Sequence, residues 1–194
     1  LVNKLVEHFQ GRGVFEVVEE NPFLKSFYTD RDKFAFQTQI FFLLSRFKQQ
    51  QDMFQDDLFN QTLISDYLFA KDRIFATITL DPNELALYER VYEQVGPRVR
   101  KPDLVIYLRA RMDVLLGRIK KRGREFERRF DAEYLEAVCS TYNEFFFRYD
   151  ETPLLVVDTS DLDYVSSDDD FNEILGAILR HKKGTVHFQP STRR

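Results

Sequence analysis

Three groups of residues have the types and spacing to do chemistry. Glu19 and Glu20 form an acid pair at the end of the apolar run Val14-Phe15-Glu16-Val17-Val18. At a strand end one carboxylate of such a pair faces inward and can act as a general base, whereas a solvated acidic turn is the plainer alternative. Gln39 and Arg46 interrupt an apolar helical stretch seven residues apart, two turns along one face. A buried amide and a buried guanidinium both need partners, which either the protein itself supplies or a ligand with paired donors and acceptors, such as a nucleobase. Phe36, Phe41, Phe42 and Phe47 nearby can flank a planar ring or simply fill a core. The segment from Arg118 to Arg129 carries seven basic and two acidic residues, about +5 in side-chain charge. It suits either a solvated helix end or a loop whose guanidinium groups close over phosphate.

Other chemistries are poorly represented. His8, His181 and His187 lack metal-ligand spacing, and neither a Gly-x-Ser-x-Gly elbow nor a GxxxxGK(S/T) phosphate loop is present.

The elements that must position these groups alternate along the chain. Apolar residues at 1, 2, 5, 6 and 9 predict a helix that Gly11-Arg12-Gly13 stops, and residues 14–19 read as a strand. A long helix follows over about 31–51, then a short strand at 62–66 and a helix at 67–75. Asp81-Pro82-Asn83-Glu84 carries the signature of a capped helix start, with the helix running to Val95 and closing at Gly96-Pro97. Residues 103–108 read as a strand buried on both faces, 111–122 as a helix, 131–149 as a helix capped by Asp131, 154–158 as a strand and 168–182 as a helix. Strands separated by helical crossovers predict a parallel α/β sheet, with ligands bound beyond the carboxyl ends of the strands. That rule selects Glu19, Glu20, Ser65, Asp66, Arg109 and Asp158. The segment 184–194 is expected to be a disordered tail.

With 194 residues, 43% hydrophobic and 31% charged, the chain reads as one globular domain and not as a disordered or disulfide-built protein. The formal charge of −4 leaves no overall basic excess for duplex nucleic acid. No stretch reaches the roughly 18 apolar residues of a membrane span. The single cysteine, Cys139, suits a reducing compartment, so a cytoplasmic protein is expected.

Taken in order, Glu19-Glu20-Asn21-Pro22-Phe23-Leu24, Phe27-Tyr28, Ala35-Phe36-Gln37-Thr38-Gln39 with Arg46, Pro102 to Leu108, Arg118 to Arg124 and Tyr134-Leu135-Glu136 resemble the deoxynucleoside kinase family over about residues 1–182. The stretch Ser65-Asp66-Tyr67-Leu68-Phe69-Ala70-Lys71-Asp72 looks most like a bacterial deoxyadenosine/deoxyguanosine kinase branch. The resemblance implies a three-layer α/β fold of the P-loop kinase type, phosphorylation of a deoxyribonucleoside 5′-hydroxyl, ATP as donor, Mg2+ and a homodimer. It implies that Glu20 is the general base, that Gln39 and Arg46 read the base, and that Tyr28 and Glu127 hold the sugar 3′-hydroxyl. Arg118, Arg122 and Arg124 would form the phosphate-covering lid. Where better-known members carry Glu-Arg-Ser or Asp-Arg-Ser, this chain has Ser65-Asp66-Tyr67 with no arginine, so Asp66 is expected to take the acid's place after a one-residue slip; Lys71 and Arg73 are the cations near in sequence, and Lys71 is assigned to substrate.

In that family a phosphate loop and a central strand precede a helix like the one at Leu1. A kinase domain over 1–183 that lacks them is expected to be an N-terminal truncation, inactive and poorly stable by itself. A nucleoside monophosphate kinase-like enzyme and a non-catalytic nucleotide-binding module are the alternatives.

Overall fold

The computed structural model describes residues 1–16, 18–55, 62–124 and 132–190. The chain opens with α1 (Val2–Phe9), which ends in a left-handed cap at Gln10 whose N–H bonds back to Val6 and Glu7. Gly11 then lies against the backbone of Thr62 so closely that a Cβ there would sit 2.4 Å from the Thr62 carbonyl oxygen. Arg12 N–H takes that same oxygen at 2.8 Å, and the ladder starts there. Strand β1 is therefore Arg12–Val14. The expected helix stop at Gly11–Gly13 is largely strand; of the expected strand at 14–19 only Val14 is strand, Phe15 and Glu16 are irregular, and Val18–Glu20 form a 3₁₀ helix.

Next come the short α2 (Leu24–Phe27) and the long α3 (Arg31–Gln55), which runs four residues beyond the expected end. Asn21 ties the preceding loop to α3, donating from Nδ2 to the Thr38 carbonyl at 3.1 Å and accepting Phe23 N–H at 3.0 Å. Strand β2 (Leu63–Ser65) pairs in parallel with β1. The helix expected at 67–75 is displaced to α4 (Lys71–Thr79). Ser65 holds Tyr67 through both backbone groups, and successive tight turns from Leu68 and Phe69 carry the chain to the helix start. The start of α5 (Pro82–Val95) has both halves of the expected capping box: Asp81 accepts from Asn83 and Glu84 N–H, and the Glu84 carboxylate takes Asp81 N–H.

The second half alternates β3 (Val105–Arg109), α6 (Met112–Arg122), α7 (Ala132–Phe147), β4 (Leu154–Asp158) and α8 (Asp168–Arg180). Asp131, the expected cap of α7, lies outside the described residues. Thr185–Phe188 form β5, hydrogen-bonded in parallel to β4, so the disordered tail expected from 184 is instead a strand over these four residues.

All described strand pairs are parallel, in a two-stranded sheet β1-β2 and a three-stranded sheet β3-β4-β5. The period of two sorts β4 between two helices. Leu154 and Val156 pack with Val105 and with Phe146 and Tyr149 near the end of α7, whereas Leu155 and Val157 pack against Ile174 and Ala177 of α8. Leu154, Leu155 and Val157 are fully buried, and each contributes on the order of 1.5–3 kcal/mol by leaving water. Leu5 of α1 packs against Phe171 and Leu175 of α8, with Ile64 of β2 and Ile106 of β3 in the same cluster, so α1 joins the two sheets. A further core of Phe27, Ala35, Leu43, Phe69, Ala76 and Tyr88 holds α2, α3, α4 and α5 together. Cys139 lies half-buried on α7.

Candidate active site

Beyond the ends of β1 and β2 the fold gathers a group of charges around Arg46. This residue is 5% exposed in the middle of α3, where a guanidinium needs full pairing to be tolerated. Arg46 Nη1 donates to Asp72 Oδ1 and Nη2 to Glu16 Oε1. Its plane also lies 5.0 Å from the centre of the Phe42 ring. Asp72, in the first turn of α4, is fully buried. Glu16 follows β1 by two residues, and its other oxygen accepts from Lys71 Nζ at 3.4 Å. Asp66, just past β2, accepts Glu16 N–H at 2.9 Å and so sets the course of the backbone carrying that carboxylate.

The charges perturb one another. Burial pushes the Arg46 guanidinium down to about 10, still charged at neutral pH. Lys71 is pushed down to about 7, first by loss of hydration and then by the Arg46 charge, against the opposing pull of Asp66. The Asp66 carboxyl is raised by loss of hydration, with Lys71 and Arg46 opposing the shift.

Gln39 is 3% exposed and sits two turns before Arg46 on α3, as the spacing predicts. Its Nε2 donates to Thr79 Oγ1 at 3.2 Å, at the end of α4. The two helices are thus cross-linked twice, by Arg46–Asp72 and by Gln39–Thr79. Tyr28, half-buried at the end of α2, packs edge-on against Phe27. Its expected companion Glu127 lies outside the described residues.

The three arginines expected to act together have different surroundings. Arg118 is a clamp on the loop after β4: it donates to Thr159 Oγ1 at 2.8 Å and to the Thr159 and Leu162 carbonyls at 2.7 and 3.2 Å. Arg122 ends α6 exposed, followed by Gly123 with φ +69°, a left-handed cap that favours glycine. Arg124 pairs with Glu19 at 3.2 Å, joining the segment after α6 to the 3₁₀ helix after β1. Arg122 and Arg124 both contribute to the field at Lys71. Arg109 and Asp158, at the ends of β3 and β4, are spent on each other at 3.3 Å, with Ser160 also bonded to Asp158.

Glu20, expected as the general base, is exposed on the 3₁₀ helix, whereas the carboxylate brought to the buried Arg46 is Glu16. The strand-end rule points to Glu19 and Glu20 only for a strand running to Glu19. Applied to the observed end at Val14, it selects Glu16. Asp72 carries no mark of its role in sequence, because an acid in the first turn of a helix reads as a surface residue favoured by the dipole.

A family model for deoxynucleoside kinase matches residues 1–182. The chain is 36% identical over 183 residues to a deoxyguanosine kinase of Bacillus subtilis, covering 92% of this chain and 88% of that one. It is 28% identical over 189 residues to a deoxyadenosine kinase of Lactobacillus acidophilus, covering 92% and 87% of the two chains. Among solved structures, deoxyadenosine kinase from M. mycoides with bound dCTP superposes with a TM-score of 0.77 at 29% identity, over 92% of this chain and 90% of that one. The parallel α/β architecture, the buried polar cluster between α3 and α4 and these likenesses agree: the chain belongs to the deoxynucleoside kinase family and has its P-loop kinase fold.

Proposed function

We propose that the protein transfers the γ-phosphoryl group of ATP to the 5′-hydroxyl of a deoxyribonucleoside, as part of nucleotide salvage. The observation that carries this reading is the buried Arg46, which holds two carboxylates of different task on one guanidinium. Glu16 lies on the side of Lys71 and the basic end of α6, where phosphate would sit, and Asp72 takes the other branch of the guanidinium, buried between α3 and α4, where a base would sit. In the reaction Glu16 accepts the 5′-hydroxyl proton while the new O–P bond forms and the bond from γ-phosphorus to the β–γ bridging oxygen breaks, releasing ADP. Arg122 and Arg124 neutralise the transferring group, and Arg118 holds the Thr159–Leu162 loop in place beside it. Gln39, Arg46 and Asp72 read the base, and Tyr28 bounds the sugar.

ATP enters as the phosphate donor together with Mg2+. Among the described residues no group of three or more His, Cys, Asp or Glu could hold a metal ion, and Glu16 and Asp72 are both engaged by Arg46. The described side chains therefore offer no cage for Mg2+, and their roles here are binding, orientation and proton transfer. No described helix is long and apolar enough to cross a membrane. A cytoplasmic homodimer is the expected setting, and sedimentation of the purified protein tests the assembly.

The deciding experiment is a phosphoryl-transfer assay with ATP, Mg2+ and each of the four deoxynucleosides, with the matching deoxynucleoside monophosphates as rival acceptors. Labelled phosphate appearing on a nucleoside supports the reading. Transfer to monophosphates alone would replace it with a nucleoside monophosphate kinase, and transfer to neither would remove the phosphotransfer reading.

A further inference from the structure

Lys71 opens α4, and its side chain runs along the Phe75 ring one turn on, with Nζ 5.6 Å from the ring centre. Nζ reaches Glu16 Oε2 at 3.4 Å, long for a charge-assisted bond, and among the described residues it has no other carboxylate at ion-pair distance. An ammonium has three N–H bonds to place, so one long contact leaves most of that capacity to something other than the protein. The side chain is 25% exposed, which gives a small ligand access to it. Arg73, the next residue along, is turned away: its Nε donates to Glu89 of α5 at 3.0 Å and its guanidinium lies 5.4 Å from the centre of the Tyr92 ring.

The groups facing Lys71 explain why it is held so loosely. Arg46 of α3 and Arg122 and Arg124 after it on the chain push against its charge, whereas Asp66, just past β2, pulls for it. Glu16, past β1, divides itself between Lys71 and Arg46, and Asp72, beside Lys71 on α4, is turned to Arg46. With loss of hydration first and these like charges second, the amine gives up its proton near neutral pH, at a pKa of about 7. A phosphate dianion arriving between Lys71 and the end of α6 reverses that balance. It screens Lys71 from the arginines, offers oxygens in place of the long contact to Glu16, and makes the protonated amine the favoured form.

Resting on the nucleoside-kinase reading above, we propose that Lys71 is a further catalytic residue, which takes a proton from solvent as phosphate arrives, moves its ammonium from Glu16 onto the phosphate oxygens, and so bares Glu16 for the substrate hydroxyl. The step is a protonation without redox change: the Lys71 nitrogen lone pair forms the new N–H bond, and the proton returns to solvent when the monophosphate product leaves. Phosphate binding and release of the base are then one event.

The test needs no turnover. Calorimetry on the purified protein compares deoxyguanosine and deoxyadenosine with their 5′-monophosphates from pH 7 to 9, where the monophosphate is a dianion throughout. Monophosphate binding is expected to take up about one proton at pH 8, read from two buffers of different ionisation enthalpy, and to weaken about fivefold or more between pH 8 and 9. The nucleosides show neither effect. Lys71→Met lowers monophosphate affinity by about tenfold or more, keeps nucleoside affinity, and abolishes the uptake. Lys71→Arg, which cannot lose its proton, flattens the pH dependence, and Arg73→Met leaves it as in the wild type. Monophosphate binding by the wild type that is independent of pH overturns the proposal, a result that stands without any variant, and so does proton uptake that persists in Lys71→Met. Nucleoside binding with no gain from the 5′-phosphate also overturns it and leaves the kinase reading intact. Binding of neither nucleoside nor monophosphate removes both.

Discussion

A carboxylate serves as a proton acceptor only where a substrate hydroxyl can reach it, and the neighbours of Glu16 make it the better placed of the two acids considered. Glu16→Gln is expected to lower kcat by about 10² to 10⁴ with nucleoside affinity largely retained, whereas Glu20→Gln, on the exposed 3₁₀ helix, leaves kcat within about threefold. Steady-state kinetics on the two variants separates them, and a larger loss from Glu20→Gln would reverse the assignment. Lys71 offers a second check, through stability. Its folded pKa, about 7, lies below the ordinary 10.5, so between those pH values the unfolded chain holds a proton that the folded chain does not. Stability from this group therefore rises with pH across that window and is lost as pH falls through about 7. Lys71→Met is expected to flatten the corresponding slope of Tm against pH; an unchanged slope would mean that the facing groups Arg46, Glu16, Asp66, Arg122 and Arg124 compensate fully. Gln39 and Arg46 were legible because a polar pair inside an apolar helix is conspicuous in sequence. Glu16 and Asp72 were not, because what singles them out is a guanidinium thirty residues away from one and twenty-six from the other.

Elements set by local rules were the easier ones to read. Asp81 and Glu84 announce their capping box within four residues, and the structure has both bonds. Asp81→Ala is expected to cost about 1 kcal/mol, visible as a lower denaturation midpoint with an unchanged m-value. Strand β5 is the opposite case. Thr185, Val186 and His187 are exposed, so no alternation marks the strand, and its existence depends on a partner some thirty residues earlier. Ending the chain after Lys183 is expected to lower Tm, because it strips the outer edge of β4 of its hydrogen bonds and removes Phe188 from the cluster around Leu155 and Val157. A Tm unchanged by that truncation would show that the strand adds nothing to the fold. The start of β1 is not legible in sequence for a similar reason: the close approach of Gly11 to Thr62 is a contact across about fifty residues.

At the scale of the whole molecule, the alternation of strands and helices was enough to give the parallel α/β architecture, since right-handed crossovers leave few alternatives. What it could not give is the way α1 ties the sheets together, a matter of which apolar residues meet and not of their period. Leu5→Ala is expected to cost about 2–5 kcal/mol and to raise amide hydrogen exchange in both β2 and β3; an effect confined to one sheet would contradict the bridging role. The half-buried Cys139 has a consequence for handling and measurement. It is the chain's one thiol, burial raises its pKa, and only the thiolate reacts with disulfide reagents. Labelling of the folded protein is therefore slow and becomes fast when α7 lifts away, so the chain carries a chemical clock for the opening of that helix with no engineered probe.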